Sequence, residues 1–183
     1  MLTIDIRHIG REGSKVVFWR KKKSKFDEPQ NEPLFMSVPS ADEDLRDAYA
    51  RAAAGMTEFR EHIDRQGDHI CSAKLRFKDP NESERTGKDV VLFLWLTAVE
   101  YSSASGTYIG TFFEVPPELG EWHWAGQRLE FDDADVFDWM VNDDGILHSG
   151  FTLRVNRSRL PEGEREAFDR HVGVRQWVQR SQQ

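Results

Sequence analysis

Val136-Phe137-Asp138-Trp139-Met140-Val141-Asn142-Asp143-Asp144-Gly145-Ile146-Leu147-His148-Ser149-Gly150-Phe151 is the stretch whose reading decides the fold. Two apolar-rich runs, Val136–Val141 and Ile146–Phe151, flank Asp143-Asp144-Gly145. Asp-Gly marks a tight type I′ turn, because both central residues of that turn take positive φ. The spacing therefore predicts a β-hairpin. Upstream, the same kind of reading continues. Gly126–Phe131 is a short strand. Thr107–Val115 alternates, with Ile109, Thr111, Phe113 and Val115 on one face, until Pro116-Pro117 stops it. Val90–Val99 is apolar at nearly every position and reads as a central strand buried on both sides. Cys71, Ala73, Leu75 and Phe77 alternate with Ser72, Lys74, Arg76 and Lys78, which predicts a strand with one wet face. Residues 79–89 read as a polar loop.

Helices enclose this strand-rich middle. Leu45, Tyr49, Ala52, Met56, Phe59 and Ile63 recur in steps of three and four, which keeps one face apolar over a single long helix ending at Gly67-Asp68. Ser40 and Glu43 have the spacing of a capping box at its start. Residues 152–179 read as mostly helical. Pro161 suits a first turn, the glutamates after it suit the positive end of the helix dipole, and Arg170, His171 and Arg175 suit the other end. At the N-terminus, residues 2–19 read as a hairpin around Gly10-Arg11-Glu12-Gly13, and residues 20–39 as a basic, Pro-punctuated segment. The expected organisation is an N-terminal β-hairpin extension and polar linker over 1–39, then an α+β domain over 40–183. That domain has a curved, mainly antiparallel sheet, an open small barrel being one form of it, with one long N-terminal helix and C-terminal helices.

Composition narrows the function classes. The 183 residues are 38% hydrophobic and carry a formal net charge of −7. Such a chain can bury a core, and its charge repels phosphate backbones, so nucleic acid is an unfavoured partner. The run Arg20-Lys21-Lys22-Lys23-Ser24-Lys25 could contact an acidic partner, but it reads first as a solvated hairpin end. One cysteine, Cys71, excludes an intrachain disulfide. No signal-peptide core and no apolar run near the ~20 residues of a membrane span is present, so a cytoplasmic setting is expected.

Motifs for chemistry are sparse. His8, His62, His69, His123, His148 and His171 form no His-x-x-x-His pair, and neither aspartate cluster has the ladder of a calcium loop, so no metal is expected. No phosphate-binding glycine loop and no Gly-x-Ser-x-Gly elbow occurs, and no cofactor is expected. Cys71 lies on the apolar face of a strand and reads as inert. Trp122-His123-Trp124 sits in a loop. Exposed, it could anchor a partner; the reading preferred here tucks both indoles into the core. Asp138, His148, Arg154, Arg157 and Arg159 are the best polar candidates. Asp138 with Arg154 could bind a small anion. Asp138 could equally cap a neighbouring turn or pair with Arg154 to lock the hairpin to the following helix. His148 is expected on the hairpin's outer face.

Several of these stretches together resemble a known family. They are Ala52-Ala53-Ala54…Phe59, Ala73-Lys74-Leu75-Arg76-Phe77, Trp95, Asp138-Trp139-Met140, Asp144-Gly145-x-Leu147-His148-x-Gly150-Phe151-Thr152-Leu153-Arg154 and Glu164-Arg165-x-x-Phe168. The chain over about 42–170 resembles the bacterial domain-of-unknown-function family 2314, also called YegJ-like. The resemblance implies a small α+β domain without an established enzymatic activity, in a bacterial cytosol. The expected function is non-catalytic protein binding of an inhibitor or immunity type, with Trp122 and Trp124 as contact candidates. The alternative is a small-molecule or anion site with weak enzymatic activity at Asp138, His148 and Arg154.

Overall fold

Seven strands form one open sheet in the order β4-β3-β2-β1-β5-β6-β7. They are β1 (Ile70–Lys78), β2 (Val91–Ser102), β3 (Thr107–Phe112), β4 (Arg128–Phe131), β5 (Val136–Asp143), β6 (Ile146–Ser149) and β7 (Gln176–Trp177). Neighbours pair antiparallel except β6 and β7, which are parallel. The helices are α1 (Glu43–Ala54), α2 (Met56–Ile63), α3 (Pro80–Thr86), α4 (Phe151–Arg159) and α5 (Glu162–His171). This computed structural model describes residues 42–178. The expected N-terminal hairpin, the basic run and the Ser40 cap lie outside the described residues. No described helix is long and apolar enough to cross a membrane.

The α+β class holds, and β1 to β6 fall where strands were expected, whereas β7 lies in the stretch read as mostly helical. The turn at Asp144-Gly145 has φ of 45° and 83°, as a type I′ turn requires. Two architectural expectations fail. The sheet is open rather than a small barrel, since β4 and β7 are its edges. The single long helix is two helices broken at Gly55. The break has a physical cause. The indole Nε1 of Trp139 donates to the Ala52 carbonyl at 3.0 Å. A Cβ at Gly55 would lie 2.8 Å from Trp139 Cζ2. The helix therefore ends where a β5 tryptophan enters it. Asp42 caps α1, its Oδ1 accepting from Leu45 N–H at 3.2 Å. Arg159 of α4 clamps the same carboxylate at 2.6 Å.

Three local expectations also need correction. Residues 79–89 contain α3, with Asp79 accepting from Glu82 N–H at 2.9 Å, Pro80 in the first turn and Gly87 left-handed at φ 66°. On β3 the buried set is Tyr108, Gly110 and Phe112, not Ile109, Thr111 and Phe113. Gly110 hid the pattern: its missing side chain lets Leu96, Phe131 and Val99 close over the strand. The second face of β1 is wet only toward its end, where Arg76 is half-buried and Lys78 exposed. Ser72 and Lys74 are buried beside a second apolar cluster of Leu147, Leu153 and Val174. The main core lies on the other face, where Ala73, Leu75, Leu94, Leu96, Trp139 and Val141 pack with Ala52 and Phe59 of the helices.

Gly55→Ala should lower the urea midpoint by an amount equivalent to about 1–3 kcal/mol, because Trp139 must shift or the helix pair must part. Gly163→Ala, in α5 with open space around it, should gain a few tenths to about 1 kcal/mol instead. Equal midpoints for the two variants would contradict the Trp139 wedge.

Candidate functional site

A cross-strand ladder places three chemically unlike side chains in one row. Lys74 on β1 is opposite Trp95 on β2 and Asp138 on β5. The register slips by one residue just after Lys74, so Phe137 is the extra residue of a bulge. Lys74 is 3% exposed and Asp138 fully buried. Charges at such depth persist only when hydrogen-bonded and paired. Lys74 Nζ donates to Thr152 Oγ1 at 3.2 Å, and that hydroxyl donates to Asp138 Oδ2 at 2.7 Å. Oδ2 also accepts from Thr152 N–H at 2.7 Å. Oδ1 accepts from Trp139 N–H at 2.8 Å and Phe151 N–H at 3.1 Å. The ammonium sits 5.6 Å from the Phe93 ring centroid and 5.8 Å from that of Trp95, within cation–π range.

Asp138 therefore acts as a capping residue from outside the helix. Gly150, at the N-cap position of α4, has φ 63° and no side chain to offer. The carboxylate from β5 takes the two amides at Phe151 and Thr152 instead, where the helix dipole favours negative charge. Burial pushes the Asp138 carboxyl up; the Thr152 donors, Lys74 and Trp139 N–H pull against it. All four bonds to its oxygens come from N–H or O–H donors, which suits the ionised form. With two bonds on each oxygen, the knot is saturated from within.

The sequence's other candidates disperse around this knot. Arg154 makes no ion pair with Asp138; its Nε donates to the Ser149 carbonyl at 2.7 Å and its Nη2 to that of Leu147 at 3.2 Å. It thus ties α4 to β6 through backbone oxygens, and its guanidinium lies 5.1 Å from the Trp177 ring centroid. Arg157 pairs with Asp169 of α5 at 2.6 Å, and Trp177 Nε1 donates to the same carboxylate at 3.0 Å. His148 is not on an open outer face. It is half-buried against His62 of α2, with ring centroids 5.1 Å apart. Ser149 has φ 56° and a buried hydroxyl that finds no hydrogen-bond partner among the described residues. A nucleophile needs a base within reach, and nothing bonded to this hydroxyl can serve as one. The Cys71 thiol is buried and pushed up to about 11, which keeps it protonated and unreactive.

The aromatic loop departs from its preferred reading. Trp122 is 38% exposed and Trp124 61%, and neither belongs to a buried apolar cluster. Phe113, at the start of the same loop, is 76% exposed. The residue between the tryptophans is the one that turns in. His123 stacks 4.9 Å from Phe112 and edge-on to Phe77, and its Nδ1 contacts Gln127 Oε1 at 3.1 Å. Leu119 is buried, and its carbonyl accepts from both Trp122 and His123 N–H. The loop's inner side is pinned while its three large aromatics point away. Lys74, Thr152, His62 and Phe113 were missed by sequence reasoning. Alternation assigned Lys74 to water, and nothing in the sequence places α4 over it. An open groove of about 400 Å³ at the foot of the loop is lined by Asp79, Asn81, Glu82, Arg85, Pro117 and Glu118.

Asp138→Ala should cost about 3–5 kcal/mol in chemical denaturation, because it leaves the Lys74 charge buried beside four orphaned donors. The pair Lys74→Met with Asp138→Leu should cost clearly less than the two single changes summed. Strict additivity would mean that the two residues do not share one network.

The histidine pair generates a pH prediction. Burial, helped by Arg65, His148 and His69, holds His62 down to about 4, and burial also lowers His148. The folded state therefore binds fewer protons than the unfolded chain, whose imidazoles titrate near about 6.5. Stability should be full above that value and fall as pH drops toward 4. Thermal midpoints between pH 7 and 4.5 should fall less steeply in His62→Leu; an unchanged slope would exclude His62 as a source.

Comparison with known proteins adds one relationship. No curated protein and no solved structure matches the chain. The family described as an uncharacterized protein conserved in bacteria (DUF2314) matches residues 42–175, which is nearly all of the described residues. The chain belongs to the DUF2314 family.

Proposed function

We propose that this protein is a non-catalytic binding domain, of an inhibitor or immunity type, that meets a protein partner through the loop at residues 113–126. One observation carries the reading: Phe113, Trp122 and Trp124 are exposed on a loop anchored by Leu119 and His123. Exposed aromatics gain free energy when covered, and tryptophan is enriched among residues that dominate interfaces. A loop pinned before binding loses little further entropy on contact. Glu114, Glu118 and Glu121 lie among these aromatics, and residues 113–127 contain no Lys or Arg. A partner with a basic rim around an apolar centre fits that chemistry. The saturation of the Asp138 knot supports the non-catalytic part of the reading. A ligand site centred on Asp138, His148 and Arg154 would have to break bonds the fold itself uses. A bacterial cytosol is the setting that accords with this role.

The test compares the full chain with a Phe113→Ser/Trp122→Ser/Trp124→Ser variant, each immobilised and exposed to native-host extract. The expected result is a small set of proteins retained by the wild type and reduced at least tenfold by the variant, with the thermal midpoint unchanged. Retention that does not differ between the two would sink the loop reading.

A further inference from the structure

The aromatic loop belongs to a strongly acidic part of the molecule. Residues 89–153 hold twelve Asp and Glu against one Arg, Arg128, which pairs with Glu100 at 2.5 Å. Asp89, Asp133 and Asp144 pair with Lys78, Arg60 and Arg175 and Asp138 is buried, so the charge that belongs to the loop itself is that of Glu114, Glu118 and Glu121. The groove at the loop's foot adds Asp79, which is buried, and Glu82, which pairs with Arg85. An occupant of this surface must bring cations and apolar side chains together. The chain carries such a sequence itself: Val16-Val17-Phe18-Trp19-Arg20-Lys21-Lys22-Lys23-Ser24-Lys25. Four apolar residues precede five cations in six positions. The charge division is global as well. Residues 1–41 carry eight Lys and Arg against five Asp and Glu, whereas residues 42–178 carry 16 against 27.

We infer that residues 16–25 dock in cis on the acidic aromatic loop and cover it until a partner displaces them. The inference rests on the reading of that loop as a contact surface. Reach permits it. The 17 residues from Lys25 to Asp42 span up to about 56 Å when extended. A body of this length has a radius of gyration of about 14 Å, so the tether reaches across it. Tethering also supplies an effective concentration on the order of millimolar, enough to fill a surface for which a free segment has only weak affinity. Lysine and arginine over Trp122 and Trp124 add cation–π attraction to the pairing with Glu114, Glu118 and Glu121. The segment would then compete with any basic partner for the same loop.

Carbodiimide coupling of the full chain tests this, because it joins a lysine amine to a carboxylate only where the two touch. In the monomer band, amide links from Lys21–Lys25 to Glu114, Glu118 or Glu121 should exceed links to Glu162, Glu164 and Glu166 of α5 at least fivefold. A full-length Lys21→Ser/Lys22→Ser/Lys23→Ser/Lys25→Ser variant should retain at least severalfold more of the loop-dependent partners. Links spread evenly over all surface carboxylates, or none at all, would overturn the proposal. Links confined to a dimer band would overturn it in favour of a second copy as occupant. If such a failure coincides with continued loop-dependent capture, the contact reading of the loop stands and only the cis occupant is wrong.

Discussion

The buried carboxylate of Asp138 is the constraint on which the arrangement around β5 depends. It lies in a strand at the centre of the sheet, yet its partners are the first amides of α4. Strand position and helix position are therefore fixed by one group. Lys74, directly across the ladder, supplies the opposite charge through the Thr152 hydroxyl. Removing water from two ions costs several kcal/mol for each, so a pair like this is weak evidence for added stability. Its stronger consequence is geometric. A sliding of α4 by one turn, or of β1 against β5 by one residue, would leave both charges without partners. The knot thus adds its own penalty to the one that apolar packing already sets against a slipped register.

The opposite face of the sheet is organised by a neighbouring residue. Trp139 follows Asp138 and points the other way, as alternation demands. Its indole ends α1 by taking the Ala52 carbonyl, and Gly55 is small enough to let it in. Two consecutive β5 residues therefore position both helical parts. Asp138 sets α4, and Trp139 sets the α1–α2 break. Arg159 joins the two ends by clamping the Asp42 cap of α1 from the end of α4.

This explains which parts were legible in the sequence. Strands and the Asp144-Gly145 turn were readable because period-two alternation and turn chemistry are local. Lys74 alternated with apolar residues like any solvent-facing lysine, and only α4, some 77 residues later, takes it out of water. The β3 face was misassigned because Gly110 contributes to the core by absence, which a hydrophobic pattern cannot register. The helix break was illegible for a related reason: a lone glycine within a periodic segment is tolerated in many helices, and its purpose lies on β5. Asp79-Pro80-Asn81-Glu82 is a legible helix start, but the segment is polar throughout and offers no apolar period to extend it. Of the candidate site, the residue types were visible at Asp138, Arg154 and the Trp122/Trp124 loop, whereas their partners were not.

The contrast between the two polar regions bears on function. Inside, each Asp138 oxygen accepts two hydrogen bonds and two Arg154 nitrogens hold backbone carbonyls, so these groups serve the fold. Outside, Phe113 and Trp124 leave most of their surface to water and Trp122 more than a third, and the fold gains nothing from that exposure. His123 makes the same point within three residues. Rotating this loop inward would bury the tryptophans, but the position between them is the one that stacks on Phe112 and Phe77. The local backbone thus spends its one inward place on a histidine and holds two larger, more apolar rings outside. Folding energetics alone favours the reverse assignment.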